Sequence, residues 1–181
     1  MRKNENTKNL NIKLTAFWSL VGVFTLAFII TVIVTAITLR PINSYSDIKR
    51  DNLALVGNDI FTQTGSEYYV YVYSSGSNTN IDNAKAEEVN QGIFNYFNFV
   101  KHNSKSDGIL RIYGLDIDFI TNKSIVSNSD NVNGVTKFEN LRLTERKLPV
   151  LLRVYDGGID HVSVTTTEIL SELANAMDKV K

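Results

Sequence analysis

Two aspartates two residues apart, Asp116 and Asp118, are the side chains in this sequence whose types and spacing best suit chemistry. On a strand that spacing puts both carboxylates on one side, and paired carboxylates can serve general acid–base catalysis. At a strand end such a pair is more often simply solvated. Other chemistries have less support. His102 and His161 lie far apart on no ligand-like spacing, so a histidine-based zinc site is not expected. Both read as surface or edge residues. The chain has no cysteine, which excludes disulfides, thiolate catalysis and thiolate metal sites together. Neither a metal nor a cofactor is expected. A nucleophilic serine needs a positioned base, and no Gly-x-Ser-x-Gly elbow is present. The 19 Lys plus Arg balance the 19 Asp plus Glu with no basic block, so nucleic acid is not an expected partner.

The elements that must position these residues begin with a membrane anchor. Residues 14–39 carry no charge and are bounded by Lys13 and Arg40. At 1.5 Å per residue they make about 39 Å of helix, enough to cross a hydrocarbon core of about 30 Å. The run lacks the polar face of a soluble helix, it is too long for a signal peptide, whose apolar region is about 7–15 residues, and Ala36-Ile37-Thr38 is a poor cleavage site. Arg2, Lys3, Lys8 and Lys13 precede it, against Glu5, while Arg40, Lys49 and Arg50 follow among Asp47 and Asp51. The positive-inside rule then points to a single-pass protein of the cell membrane, with residues 1–13 a cytoplasmic tail and the C-terminal part outside. Trp18 and Tyr45 are expected at the two interfaces.

Residues 40–66 read as a linker and docking segment, in which Leu53, Ala54, Leu55, Val56, Ile60 and Phe61 can pack on the domain. Residues 67–181 read as one α/β domain. Tyr68 to Tyr73 is an aromatic and β-branched run without strict alternation, as a central strand shows. Asp82 or Asn83 can cap a helix whose Ala86, Val89, Ile93, Phe97 and Val100 share one face. Tyr96 and Phe99 fall off that stripe and suggest a contact patch. Ile109 to Asp118 is the next strand, so strand, helix and strand form a βαβ unit with a parallel pair. Residues 119–147 have no clear period. Pro149 to Tyr155 and Ile159 to Val164 flank the turn Asp156-Gly157-Gly158 as a hairpin. Thr165 with Glu168 makes a capping-box pattern that opens a closing helix.

This order resembles the thioredoxin superfamily, and within it the membrane-anchored bacterial thioredoxin-like proteins, including those called bacteriocin transport accessory proteins. The residues that carry the likeness are Tyr69 to Ser74, Leu115 to Asp118, and Leu148 to Leu152 leading into Asp156-Gly157-Gly158. The resemblance implies a thioredoxin-like mixed sheet flanked by helices. It also places Ser77 and Asn80 where the family has Cys-x-x-Cys, and makes Pro149 the counterpart of a cis proline. Thiol–disulfide exchange needs a sulfur nucleophile and a resolving thiol, and this chain has neither. What the resemblance then implies is a redox-inactive, non-enzymatic binding module outside the cytoplasm, in a secretion or conjugation apparatus. It would engage a peptide or partner protein through Ser77, Asn80, Leu148 and Pro149. Two alternatives stand beside it: a structural subunit of a membrane complex, and a non-thiol enzyme on the same scaffold using Asp116, Asp118 or Ser77.

Overall fold

The computed structural model describes residues 3–76, 81–104 and 106–180. It divides into two compact units, Met1–Arg40 and Pro41–Lys181. The first unit is one helix, α1 (Lys3–Thr38). Its stretch Ile12–Thr38, 27 residues, is long and apolar enough to cross a membrane. Polar side chains inside it satisfy themselves locally. The hydroxyls of Thr25, Thr31 and Thr38 donate to the carbonyls of Val21, Ala27 and Val34 at 2.8, 2.8 and 2.9 Å. A lipid-facing helix requires that economy, because hydrocarbon offers no partner. The helix extends without a break into the segment read as a tail.

The second unit is built on β1 (Glu67–Tyr73), β2 (Arg111–Asp116), β5 (Val150–Tyr155) and β6 (Gly158–Ser163), in the order β2-β1-β5-β6. β1 and β2 are parallel, whereas β5 is antiparallel to both β1 and β6. β3 (Val126–Ser127) and β4 (Leu143–Thr144) form a separate small parallel pair. The helices are α2 (Tyr45–Arg50), α3 (Asn83–His102) and α4 (Thr166–Asp178).

β1 is buried on both faces, which is why its sequence does not alternate. Tyr69, Tyr71 and Tyr73 point into a core made with Val89, Ile93 and Phe97 of α3 and Ile169 and Leu173 of α4. Tyr68, Val70 and Val72 point into a second core on the other face. There the cover is irregular chain: Leu55 and Ile60 before the sheet, and Ile125, Leu141, Leu143 and Leu148 from the stretch after β2. That stretch, 119–147, holds three short 3-10 turns besides β3 and β4. One buried amide organises it. Asn122 donates to the carbonyls of Leu55 and Asp116 at 3.2 and 3.0 Å, and accepts from the Gly57 amide at 2.8 Å.

The hairpin turn is as expected, with Asp156 and Gly157 both at positive φ, 47° and 75°. A two-residue turn of that kind matches strand twist. The capping box of α4 is complete, Thr165 Oγ1 accepting from Glu168 N–H at 3.2 Å and Glu168 returning the bond to Thr165 N–H at 2.9 Å. Tyr96 departs from its expectation as a surface contact. It is fully buried and its hydroxyl donates to the Leu110 carbonyl at 2.9 Å. Tyr45 is half-buried: it stacks on Tyr73 at 4.2 Å and donates to Asn90 at 2.7 Å, so it packs against the domain core.

The segment read as linker is integral to the domain. Ile42, Ile48 and Ile60 have no exposed surface. Leu53 and Leu55 pair with both sides of Gly114, at 2.8 and 2.7 Å, closing the free edge of β2. Burial of that kind predicts a large cost of truncation. Ile48→Ala and Ile60→Ala in a fragment beginning at Pro41 are each expected to lower stability by about 2–5 kcal/mol in urea unfolding. Changes near zero would mean that the segment is a dispensable tether.

Candidate functional site

The parallel strands β1 and β2 end side by side, with Tyr73 level with Asp116. In open sheets, the crevice beyond the carboxyl ends of parallel strands is the usual place for a ligand. Beyond those ends the chain leaves β1 through Ser74, Ser75 and Gly76. Both aspartates hold that exit. Asp116 is only 3% exposed. It accepts from Ser75 Oγ at 2.6 Å, Ser75 N–H at 3.2 Å, Asp118 N–H at 3.1 Å and Lys49 Nζ at 2.7 Å. Asp118 accepts from Ser74 Oγ and from Gly76 N–H, each at 2.6 Å.

The charge state of Asp116 follows from this shell. Burial pushes its carboxyl up, but the hydrogen bonds from Lys49, Ser75 and Asp118 outweigh burial and hold it below the usual carboxylate range. An ionised carboxylate with four donors has no proton to give at neutral pH and is a weak base. The arrangement therefore favours loop anchoring over acid–base work, and the expectation of a solvated pair is replaced by a desolvated, fully bonded Asp116.

Around this anchor the packing is close. A methyl at Gly114 would lie 2.9 Å from Ile48 Cγ2 and 3.0 Å from Tyr73 Cε1. Tyr73 stacks between Tyr45 and Tyr71, with ring centroids 4.2 and 5.5 Å away. Its buried hydroxyl has no hydrogen-bond partner among the described residues. Burial raises the Tyr73 phenol well above its ordinary value, and the charge of Asp116 adds to the shift.

A groove lies beside the first turn of α3. Asp82 caps α3 by accepting from Lys85 N–H at 3.0 Å. Lys85 Nζ reaches across to the Lys147 carbonyl at 2.6 Å. Burial depresses the Lys85 ammonium, opposed by the charges of Asp82 and Glu168. The cavity here, about 440 Å³, is lined by Asp82, Lys85 and Glu88 on one side and by Arg146, Lys147, Val164, Thr165 and Thr166 on the other.

Of the residues expected to form a contact site, Leu148 and Pro149 stand immediately after this lining, and the peptide bond between them is cis. Both are buried. The Leu148 side chain belongs to the core, and its N–H already donates to the Glu145 carbonyl at 3.1 Å. Ser77 and Asn80 lie outside the described residues. Lys49, Ser75, Lys85 and Arg146 were not singled out from sequence. Ser75 read as part of a turn, and Lys49 sat in a supposed linker.

The two histidines are exposed, His102 with Nδ1 2.6 Å from the Asn98 carbonyl. Among the described residues no group of three or more His, Asp or Glu side chains is placed to hold a metal ion. Asn122-Lys123-Ser124 has the pattern of an N-glycosylation sequon, but it is closed to a glycan, because the Asn122 amide is buried and bonded at both ends.

Asp116→Asn is expected to destabilise the domain by about 2 kcal/mol, the cost of weakening charge-assisted hydrogen bonds around a buried group. The sign of the pH dependence is fixed by the lowered carboxyl. The stabilisation it gives is present above the unfolded value of about 3.9, and is lost as pH falls toward the lower folded value. Acid titration of unfolding should therefore be shallower below about pH 4 in Asp116→Asn than in the parent chain. Parallel titrations would show that the carboxylate is not held in its charged form.

Comparison with protein-family models gives no match for this chain, and comparison with curated proteins gives none either.

Proposed function

We propose that the chain is a membrane-tethered, redox-inactive binding module of thioredoxin-like architecture. Its domain lies outside the cytoplasm and takes up a peptide or a partner protein at the groove beside the first turn of α3. The observation that carries this reading is the groove itself, where α3 faces Arg146, Lys147 and the β6–α4 connection over an open cavity of about 440 Å³. That volume falls within the range of about 300–1,000 Å³ common for ligand pockets.

Three further facts support it. The element order β-α-β followed by a hairpin and a helix, with a mixed four-stranded sheet, supports the reading of a scaffold of that general kind. The absence of cysteine removes thiol–disulfide exchange, so such a scaffold would serve by binding. The cavity rim carries three cations, Lys85, Arg146 and Lys147. Lys85 and Lys147 are held by neighbours within the domain, while the exposed Arg146 has no partner among the described residues. A site in a secretion or conjugation apparatus fits an anchored module of this kind.

A second reading, a structural subunit whose main contact is α1, draws on the fully exposed apolar surface of Ile12–Thr38. One experiment separates the two. A photo-crosslinking residue at Thr166 in the full chain, in its native membranes, should capture one discrete partner. Arg146→Glu should lower capture about tenfold, as loss of a charge contact does. Replacing residues 14–39 with an unrelated membrane helix should leave capture intact. Capture that ignores Arg146 but disappears with the helix would establish the second reading, and no capture at all would sink the first.

A further inference from the structure

We infer that Phe119 and Ile120, with Val56 beside them, form an apolar knob that seats in an apolar pocket of a partner protein. This goes beyond the groove reading, and its test uses different residues.

Among the described residues from Pro41 onward, the large apolar side chains left exposed are Val56, Phe119, Ile120 and Tyr155, at 37, 46, 86 and 52%. Three of those four are gathered by one buried residue. The Asn122 side chain donates to the Leu55 carbonyl and accepts from the Gly57 N–H, so its bonds bracket Val56. Its backbone N–H donates to the Phe119 carbonyl at 2.9 Å, joined there by Lys123 N–H at 3.1 Å. Phe119 N–H in turn donates to the Asp116 carbonyl at 3.2 Å. Ile120 is therefore the tip of a turn fixed on both sides. An apolar side chain stabilises a fold only where water is excluded from it, so Ile120 at this tip does little for the domain itself. A turn already fixed loses little freedom when it binds, which favours its use as an anchor.

Position and size decide the occupant. The chain enters the domain at Ile42, whose N–H and carbonyl are both held by the Asn98 side chain at 2.8 Å. That part of α3 lies near the entry to β2, because the Tyr96 hydroxyl reaches the Leu110 carbonyl. Phe119 and Ile120 follow the exit of β2, and its six residues separate the two levels by about 20 Å. The knob thus stands at the end of the domain away from the residue through which it is tethered, with the exposed carboxylate of Asp118 next to Phe119. Both facts disfavour a lipid surface, which is anionic on many membranes. A second copy fits no better. Three partly exposed side chains offer only a fraction of the about 800 Å² per partner that a standard interface buries, so two tips meeting would cover too little. A convex apolar tip gains most in a concave, dry pocket, where a few anchors carry most of the binding energy, and a protein partner supplies that.

The test places a photo-crosslinking residue at the exposed Thr121 of the full chain in its native membranes, and maps the crosslinked site on the captured protein by mass spectrometry. One protein should be captured, at a site lined by apolar residues. Purified, that protein should bind the full chain in nanodiscs with a negative heat-capacity change, as apolar burial requires. Ile120→Asp should weaken binding at least about tenfold, while Ile120→Leu should keep most of it. Neither should move the urea midpoint, since Ile120 is exposed; an Ile120→Asp chain that unfolds earlier would assign the residue to the fold and overturn the inference. Crosslinks to lipid alone, to a second copy alone, or to nothing would overturn it too, as would binding that ignores Ile120→Asp. Capture at Thr121 that is lost with Ile120→Asp but kept with Arg146→Glu would uphold the knob even if the groove reading failed. Capture lost only with Arg146→Glu would leave the groove reading standing and remove this one.

Discussion

A strand that is apolar on both faces must be covered twice, and that constraint shapes this domain. β1 presents three tyrosines to one side and Tyr68, Val70 and Val72 to the other. Each buried aromatic or aliphatic side chain contributes about 1.5–3 kcal/mol only if its face is closed to water. The helices α3 and α4 close one face with regular stripes. No α-helix among the described residues closes the other. It is covered by chain from before the sheet and from between β2 and β5, neither of which has a period of its own. Both irregular regions are therefore structural, and the short length of the domain leaves nothing to spare for them to be otherwise.

The loop-end network follows from the same packing. Because α2 and the chain behind it lie against the sheet, Lys49 arrives at the end of β2. An aspartate buried there without a partner would be costly. With Lys49, two groups of Ser75 and the Asp118 amide it is satisfied, and the exit from β1 becomes tied to the exit from β2. The carboxylates act as fasteners between two strand ends.

How much of this was legible in sequence depended on whether a residue's partner was near it in the chain. The six-residue run of β1, the stripe of α3, the hairpin turn and the capping box are local patterns, and each falls where its residues suggest. Lys49 answers to a residue 67 positions away, and nothing in its own neighbourhood shows that. Asn122 looked like one polar residue in an Asn- and Ser-rich stretch, yet it bonds three separate backbone groups. Tyr96 was misplaced because a stripe counted at spacings of four and three is narrower than the surface α3 buries. α3 also meets the entry to β2, where the Leu110 carbonyl receives the tyrosine hydroxyl. The cis bond before Pro149 was expected from resemblance alone, and the groove residues on both sides of it were not expected at all.

The two edges of the sheet are finished differently, and the difference is physical. An open edge strand is an aggregation hazard, so natural sheets cover, charge or bend their edges. On β2 the cover is complete at the centre, where Leu53 and Leu55 bracket Gly114 and the missing side chain leaves room for Ile48 and Tyr73. On β6 the cover stops at Ile159. The bulge opposite Arg153 and the exposed Asp160 and His161 interrupt the edge, which blunts indiscriminate pairing. What is left beyond them is a single residue's worth of backbone, at Val162, beside a cavity whose lining mixes Asp130, Asn131 and Asn133 with Val132 and Val164. An edge shortened to one residue is too small to template an aggregate.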